Sequence, residues 1–250
     1  MQTLRSVLFT GWMFLTVPVF ALGVIVSAPL PYRFRFQIAR AWVVQNLAML
    51  KWLCGLTIEV RGLGNVPDEP YVAMVKHSSA LETLVNLKIF SYQSWVLKRE
   101  LMWIPFFGWG VALLKPIAVR RGGGRTAVNQ LIRQGVLRLR HGISVMVFPE
   151  GTRVAAGQSG RYGVGGAALA LRAGARILPV AHNAGDYWPR RGWVKWPGTV
   201  TFVIGEPIVA GDREPRAINA EVKAWIDKTV DELREHDPRA VLNDARVVTD

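Results

Sequence analysis

From Ser6 to Tyr32 the chain carries no charged side chain. Such a run must bond its backbone to itself and keep its side chains out of water, which leaves a lipid-bound or deeply packed helix. As one straight helix it would measure roughly 40 Å, and Leu8 to Ala28 alone is long enough for a hydrocarbon core of about 30 Å. Pro18 falls near the middle, where it removes a helical hydrogen bond and is expected to bend the axis; Pro29 and Pro31 close the run. A cleavable signal is disfavoured, because the run is long and Pro29 after Val26-Ser27-Ala28 is a poor residue to follow a cleavage site. Arg5 precedes the run, while Arg33, Arg35 and Arg40 follow it, a bias that keeps the body of the chain cytoplasmic.

The segment from Gln37 to Cys54 reads as a second helix. Arg40 and Lys51 lie three turns apart on one face, and Ile38, Trp42, Val43, Leu47, Leu50 and Leu53 cover much of the rest. A helix of this kind can lie in a membrane interface with its charges among the headgroups. Two membrane arrangements remain open, a true span or a kinked pair embedded in one leaflet. The bland reading is a core helix of a soluble fold.

Composition favours a lipid setting. Half the residues are hydrophobic, the formal charge is +13, and ten tryptophans are present. A basic balance suggests an anionic partner, and indole rings settle at lipid–water boundaries. The basic residues form neither a recognition helix nor an aromatic RNA-binding strand, so nucleic acid is not expected. Cys54 is the sole cysteine, which excludes an internal disulfide, and no Cys/His spacing suggests a metal.

Beyond Leu56, short apolar runs alternate with longer amphipathic ones. Strands are expected at Thr57–Val60, Tyr71–Lys76, Ser94–Leu97, Pro116–Val119, Ser144–Phe148, Ile177–Val180 and Thr199–Ile204. Helices are expected at Ser79–Phe90, Arg125–Arg140, Gly163–Ala173 and Glu214–Glu235, with a fraying polar tail after His236. This alternation predicts an α/β fold with a largely parallel central sheet flanked by helices. The expected division is residues 1–54 as a two-helix membrane-anchoring element and 55–250 as the α/β body.

The chemistry is concentrated in a few segments. Val75-Lys-His-Ser-Ser-Ala-Leu-Glu-Thr83 pairs an imidazole, His77, with a carboxylate, Glu82. Residues five apart on one helix are rotated by roughly 140° and would not meet. His77 must therefore sit at the end of the preceding strand, with Glu82 in the first helical turn. Ser79 and Glu82 also form a capping-box pattern, which needs no catalysis; one carboxylate oxygen can serve the helix end while the other holds His77. Glu150-Gly-Thr-Arg153 then offers a glycine turn, a hydroxyl and a guanidinium, a set suited to a phosphate.

Together with Leu97–Gly108 (LKRELMWIPFFG), Lys115–Arg121 (KPIAVRR) and Arg176–Ala181 (RILPVA), these segments resemble the 1-acylglycerol-3-phosphate acyltransferase family in both content and order. Members carry H-x4-D, K-x-E-L-x3-P-x2-G, an arginine after a short apolar strand, E-G-T-R, and an apolar strand ending in proline. Where the family has aspartate this chain has Glu82, whose extra methylene lengthens the reach.

The resemblance implies acyl transfer from acyl carrier protein or acyl-CoA to the 2-hydroxyl of 1-acylglycerol-3-phosphate (lysophosphatidate), giving phosphatidate. It implies His77 as the base and Glu82 as its partner. Arg120, Arg153 and Lys98 would hold the phosphate, helped by Gly151 and Thr152, with Glu150 supporting the loop. Arg121 and Arg125 fit either a phosphate ligand or a solvated surface cation, and neither is assigned to the site. No metal and no cofactor beyond the thioester co-substrate is expected. The expected partners are lysophosphatidate, acyl carrier protein or a coenzyme A thioester, and anionic membrane lipids. The expected place is the cytoplasmic membrane, with the catalytic domain facing the cytoplasm. Trp103, Phe106, Phe107 and Trp109 are candidates to line an acyl channel, to enter lipid or simply to pack in a core. Competing readings are a related acyltransferase for another lysolipid or a lyso-aminolipid, and a non-catalytic membrane-binding protein.

Overall fold

The apolar runs of the body become one sheet. A computed structural model describes residues 1–120 and 122–247. Its strands are β1 (Leu56–Arg61), β2 (Val72–Val75), β3 (Gln93–Lys98), β4 (Ile117–Val119), β5 (Ser144–Val147), β6 (Ile177–His182) and β7 (Gly198–Ile204). Their order is β1-β7-β6-β2-β5-β3-β4, and every pairing except the antiparallel β6–β7 is parallel. β2 lies near the centre and is buried at every residue, the continuous apolar pattern of a strand covered on both faces.

The helices are α1 (Gln2–Val26), α2 (Tyr32–Cys54), α3 (Leu81–Ile89), α4 (Phe107–Ala112), α5 (Gly124–Arg140), α6 (Gly165–Ala173), α7 (Ala184–Tyr187), α8 (Pro215–Glu235) and α9 (Pro238–Val247). Successive side chains of β2 serve opposite layers. Ala73 and Val75 join a core with residues of α1, α2 and α3, whereas Val72 and Met74 join one with α5, α6 and α8.

α1 runs unbroken through Pro18 and is long and apolar enough to cross a membrane. Both of its ends are nevertheless held to the body. Near its start, Lys195 donates its backbone N–H to Ser6 Oγ at 2.9 Å and its amine to Thr10 Oγ1 at 2.6 Å. Toward its end Ala21 packs on Gly110, where an added Cβ would come within 3.2 Å of the Ala21 backbone. The opposite face of α1 exposes Leu4, Leu8, Leu15, Val19 and Leu22. Between these ends Trp12 bonds Gln45 and Trp42 bonds Thr16, pairing the polar groups of the hairpin.

α2 begins at Tyr32, five residues before the expected start, directly after Pro31, which stands at the N-cap with an extended ψ of 150° and lacks the N–H that a helix interior would use. It buries Phe36, Val43, Leu47, Leu50 and Cys54 in the same core as α3 and β1, and Gly55 closes it in a left-handed conformation. The tail after His236 is not frayed through its described part: α9 buries Ala240, and Asn243 bonds the Asp186 backbone. Residues 248–250 of that tail lie outside the described residues.

Candidate active site

Parallel strands bring their carboxyl ends to one edge of the sheet, where open α/β proteins place their sites. Along this edge lie His182 closing β6, His77 after β2, Glu150–Arg153 after β5, Lys98 closing β3 and Arg120 after β4. Neighbouring strands are about 4.8 Å apart, so the end of β4 lies roughly 14 Å from that of β2. Extended arginine and lysine side chains can close much of that gap.

His77 sits before α3 and Glu82 in its first turn, the arrangement that the spacing demanded. Glu82 Oε1 lies 2.7 Å from His77 Nδ1 and 3.1 Å from the Ser79 backbone nitrogen. The ring therefore donates its Nδ1–H to the carboxylate and keeps its lone pair on Nε2. One oxygen thus performs both tasks expected of two. Ser79 Oγ accepts the Leu81 N–H at 3.1 Å, so base support and helix capping share the same residues. Glu82 Oε2 is buried without a hydrogen-bond partner among the described residues, 3.9 Å from His182 Nε2. Phe148 stacks on the His77 ring, centroids 4.2 Å apart, and restricts its rotation.

Glu150 braces no arginine among the described residues; its carboxylate is turned toward Lys76 and His77. It receives the His77 backbone N–H at 2.7 Å and the Lys76 amine at 2.6 Å. Val154 donates its N–H to the His77 carbonyl at 2.8 Å. Both backbone polar groups of His77 are thus held by residues 150–154. The candidate base and the candidate phosphate loop form one unit.

Two residues of this unit went unnoticed in the sequence. Lys76 is a buried cation bonded to Glu150 and to the Gln158 carbonyl. His182 donates from Nε2 to the Lys76 carbonyl at 2.9 Å and accepts the Ala184 N–H at Nδ1. Burial pushes its pKa down despite the Glu82 carboxylate nearby. The available signals were a charged residue ending the apolar run Tyr71–Val75, and an imidazole just beyond Arg176–Ala181.

The expected phosphate groups are arranged differently. Gly151 has φ +67°, a conformation that a side chain would strain, and with Thr152 it is exposed. Arg153 is half-buried, and Arg120 is exposed; neither guanidinium has an ion pair among the described residues. Lys98 lies 3.8 Å from Glu100 with both side chains partly exposed. Arg121 lies outside the described residues, and Arg125 is exposed on α5. From Leu101 to Pro149 no Asp or Glu occurs.

An apolar cavity of about 400 Å³ opens beside the base. Ala80, Phe148, Arg153 and Trp188 line it, together with Phe20 and Val24 of α1 and Phe107 of α4. The aromatic run therefore divides: Phe107 lines the cavity, while Trp103, Phe106 and Trp109 are exposed. An imidazole whose Nε2 has no partner among the described residues, cations along one edge and an apolar cavity suit a reaction on an amphipathic anion.

This is the organisation of a lipid acyltransferase, and the chain belongs to the acyltransferase family, whose model matches residues 57–183. It is 43% identical, over 93% of its length, to the 1-acyl-sn-glycerol-3-phosphate acyltransferase of Pseudomonas aeruginosa, covering 92% of that protein. The human 1-acyl-sn-glycerol-3-phosphate acyltransferase alpha is 31% identical over 55% of this chain and half of its own. The fold matches a crystal structure of the Thermotoga maritima 1-acyl-sn-glycerophosphate acyltransferase with a TM-score of 0.78. That match has 22% identity and covers 94% of this chain and 98% of the other.

Proposed function

We propose that this enzyme acylates the 2-hydroxyl of 1-acylglycerol-3-phosphate, drawing the acyl group from the thioester of acyl carrier protein or coenzyme A and producing phosphatidate. The observation that carries the reading is the His77–Glu82 pair, with no partner on Nε2 among the described residues, beside an apolar cavity and two arginines, Arg153 and Arg120, without an ion pair among the described residues. Nε2 takes the hydroxyl proton as the oxygen attacks the thioester carbonyl, and Glu82 stabilises the imidazolium. The C–O bond forms, the C–S bond breaks, and the imidazolium returns its proton to the departing sulfur. Thioesters are already activated, so no acyl-enzyme is needed.

Arg153, Arg120 and Lys98, with Gly151 and Thr152, hold the phosphate so that the 2-hydroxyl faces His77, converting binding into orientation. The cavity receives acyl chain. No cofactor beyond the thioester takes part. Residues 1–54 form the membrane-facing element and 55–250 carry the chemistry. Because both ends of α1 are tied to the body, the helix lies along one leaflet of the cytoplasmic membrane with its exposed leucines in lipid. The body then faces the cytoplasm. Replacing Leu8, Leu15 and Leu22 with glutamine should release the protein from anionic vesicles; undiminished binding would reject this placement.

The deciding experiment is a radiolabelled acyl-transfer assay with purified protein and both donor types. Lysophosphatidate should be converted to phosphatidate far faster than lysophosphatidylcholine or a monoacylglycerol is acylated. Equal rates on all three would reject the phosphate-directed reading.

A further inference from the structure

The loop between α7 and β7 connects the membrane-facing helix with the start of α3. Trp188, at its beginning, accepts the Ser79 hydroxyl on its carbonyl oxygen at 2.6 Å. Ser79 is the residue whose N–H binds Glu82 Oε1 and whose Oγ caps Leu81. The position of Trp188 is therefore passed through one serine to the carboxylate that orients His77.

From the other side, Trp188 is seated by α1. Phe9 is fully buried and meets its ring edge-on, centroids 5.8 Å apart. Lys195, from the same loop, lies 4.8 Å above the Trp188 ring and 5.8 Å from that of Phe9. Its amine bonds Thr10 Oγ1 and the Trp193 carbonyl, and Gln2 and Ser6 bond its backbone. Lys195 is 2% exposed, and burial pushes its pKa down. A buried ammonium is costly unless its hydrogen bonds are met, so the arrangement depends on α1 being in place. An apolar anchor alone would need no such set of polar ties.

We infer that Lys195 and Trp188 are positioning residues for the His77–Glu82 pair, and that seating of α1 on their loop sets the turnover of the base. The helix that meets the membrane is thereby also part of the support of the active site. This rests on the proposed role of His77, so that role is tested in parallel.

The experiment uses the full-length protein with a short-chain lysophosphatidate and a short-chain acyl-CoA, both below their aggregation limits, so that anchoring to lipid cannot affect the rate. Lys195→Met and Thr10→Val are the deciding variants, since neither residue lines the cavity. Each should lower kcat, Lys195→Met by about tenfold and Thr10→Val by a few-fold, with the acceptor KM changed by less than about twofold. Trp188→Phe should retain most of the activity that Trp188→Ala loses. Val222→Ala, in the core on the opposite face of the sheet, should lower the melting temperature while leaving kcat unchanged, separating positioning from general loosening. The inference is overturned if Lys195→Met and Thr10→Val keep full kcat on the dispersed substrate, or if they alter KM alone. His77→Ala is assayed beside them. Retained turnover there would reject the base itself, whereas a dead His77→Ala with active loop variants would reject only the coupling.

Discussion

The two halves of the candidate site are built in opposite ways. Around His77 the key groups are buried and mutually bonded: Glu82 on the ring, Glu150 and Val154 on the backbone, Lys76 and His182 behind. Toward β4, Arg153 and Arg120 carry no ion pair among the described residues, and Lys98 is held only loosely. A base must hold its geometry before substrate arrives, since its contribution depends on alignment in the transition state. Cations that receive a phosphate gain by staying hydrated and mobile until that charge replaces water. Under the proposed mechanism the mutually bonded half is where bonds change, and the half whose Arg153 and Arg120 carry no ion pair among the described residues is where charge is captured.

The largest effect should come from breaking the rigid half at its reacting atom. His77→Ala should lower kcat by about 10²–10⁴-fold, the usual contribution of a general base. Glu82→Gln should cost less, because an amide oxygen can still accept from Nδ1 and from the Ser79 N–H but cannot neutralise an imidazolium. Glu82→Asp should retain substantial activity. Near-normal kcat in both Glu82→Gln and Glu82→Ala, with only the melting temperature lowered, would reduce Glu82 to a helix cap.

Glu150 tests whether the rigid half is held from behind. Glu150→Ala leaves the Lys76 ammonium buried without its carboxylate, a loss of about 3–5 kcal/mol. For a chain of this size that corresponds to a fall in melting temperature on the order of 10 °C. Lys76→Met in the same background should recover part of it. An unchanged melting temperature and rate in Glu150→Ala would mean that His77 is positioned without this clamp.

Arg153 probes the half in which it and Arg120 carry no ion pair among the described residues. A guanidinium can grip two phosphate oxygens, whereas lysine restores the charge without the fork. Arg153→Lys should raise the KM for lysophosphatidate by about tenfold, with a smaller loss in kcat, and leave the melting temperature unchanged. The substitution should matter far less for a monoacylglycerol. Equal losses on both acceptors would place Arg153 in the support of the loop and make Arg120 and Lys98 the leading phosphate ligands.

The same division explains what the sequence could reveal. All the β-strands among the described residues were readable to within about two residues, because short apolar runs between turn signals have few other fates. His77 and Glu82 on their own also fit an ordinary capped helix start; they and Glu150–Arg153 stood out because the flanking motifs, in their order, resemble those of the acyltransferase family. What stayed hidden depends on partners distant in sequence. Lys76 looks like an ordinary strand-end lysine until Glu150 is beside it, and His182 looks like a surface histidine until α7 and β2 enclose it. The short helices α4 and α7 have too few residues to show a period, and α9 is fixed through Asn243 and Asp186 rather than by an apolar stripe. The outward face of α2 reads as interfacial from its charges, yet its opposite stripe is core. Deleting residues through Leu53 would therefore remove part of that core as well as any membrane contact.

The smallest expected effect concerns His182 and the pH range over which the rigid half survives. Its Nε2–H is given to the Lys76 carbonyl and its Nδ1 takes the Ala184 N–H, so the neutral ring is fully used. Protonation would sacrifice the Ala184 bond and place a cation in a buried site, beside the Lys76 ammonium and facing the carboxylates of Glu82 and Glu150. Burial outweighs the two carboxylates, so the folded-state pKa lies below the ordinary histidine value of about 6.5. In the unfolded chain the ring titrates at that ordinary value, so below it the unfolded state binds the extra proton first. The stabilisation is complete above about pH 6.5 and is lost as the pH falls toward the folded-state value. His182→Gln can still donate to Lys76 but cannot titrate, so its melting temperature should fall less between pH 7 and 5 than that of the parent, whatever its absolute value. Parallel curves for the two proteins would show that His182 does not contribute to acid sensitivity, and that the carboxylates carry it alone.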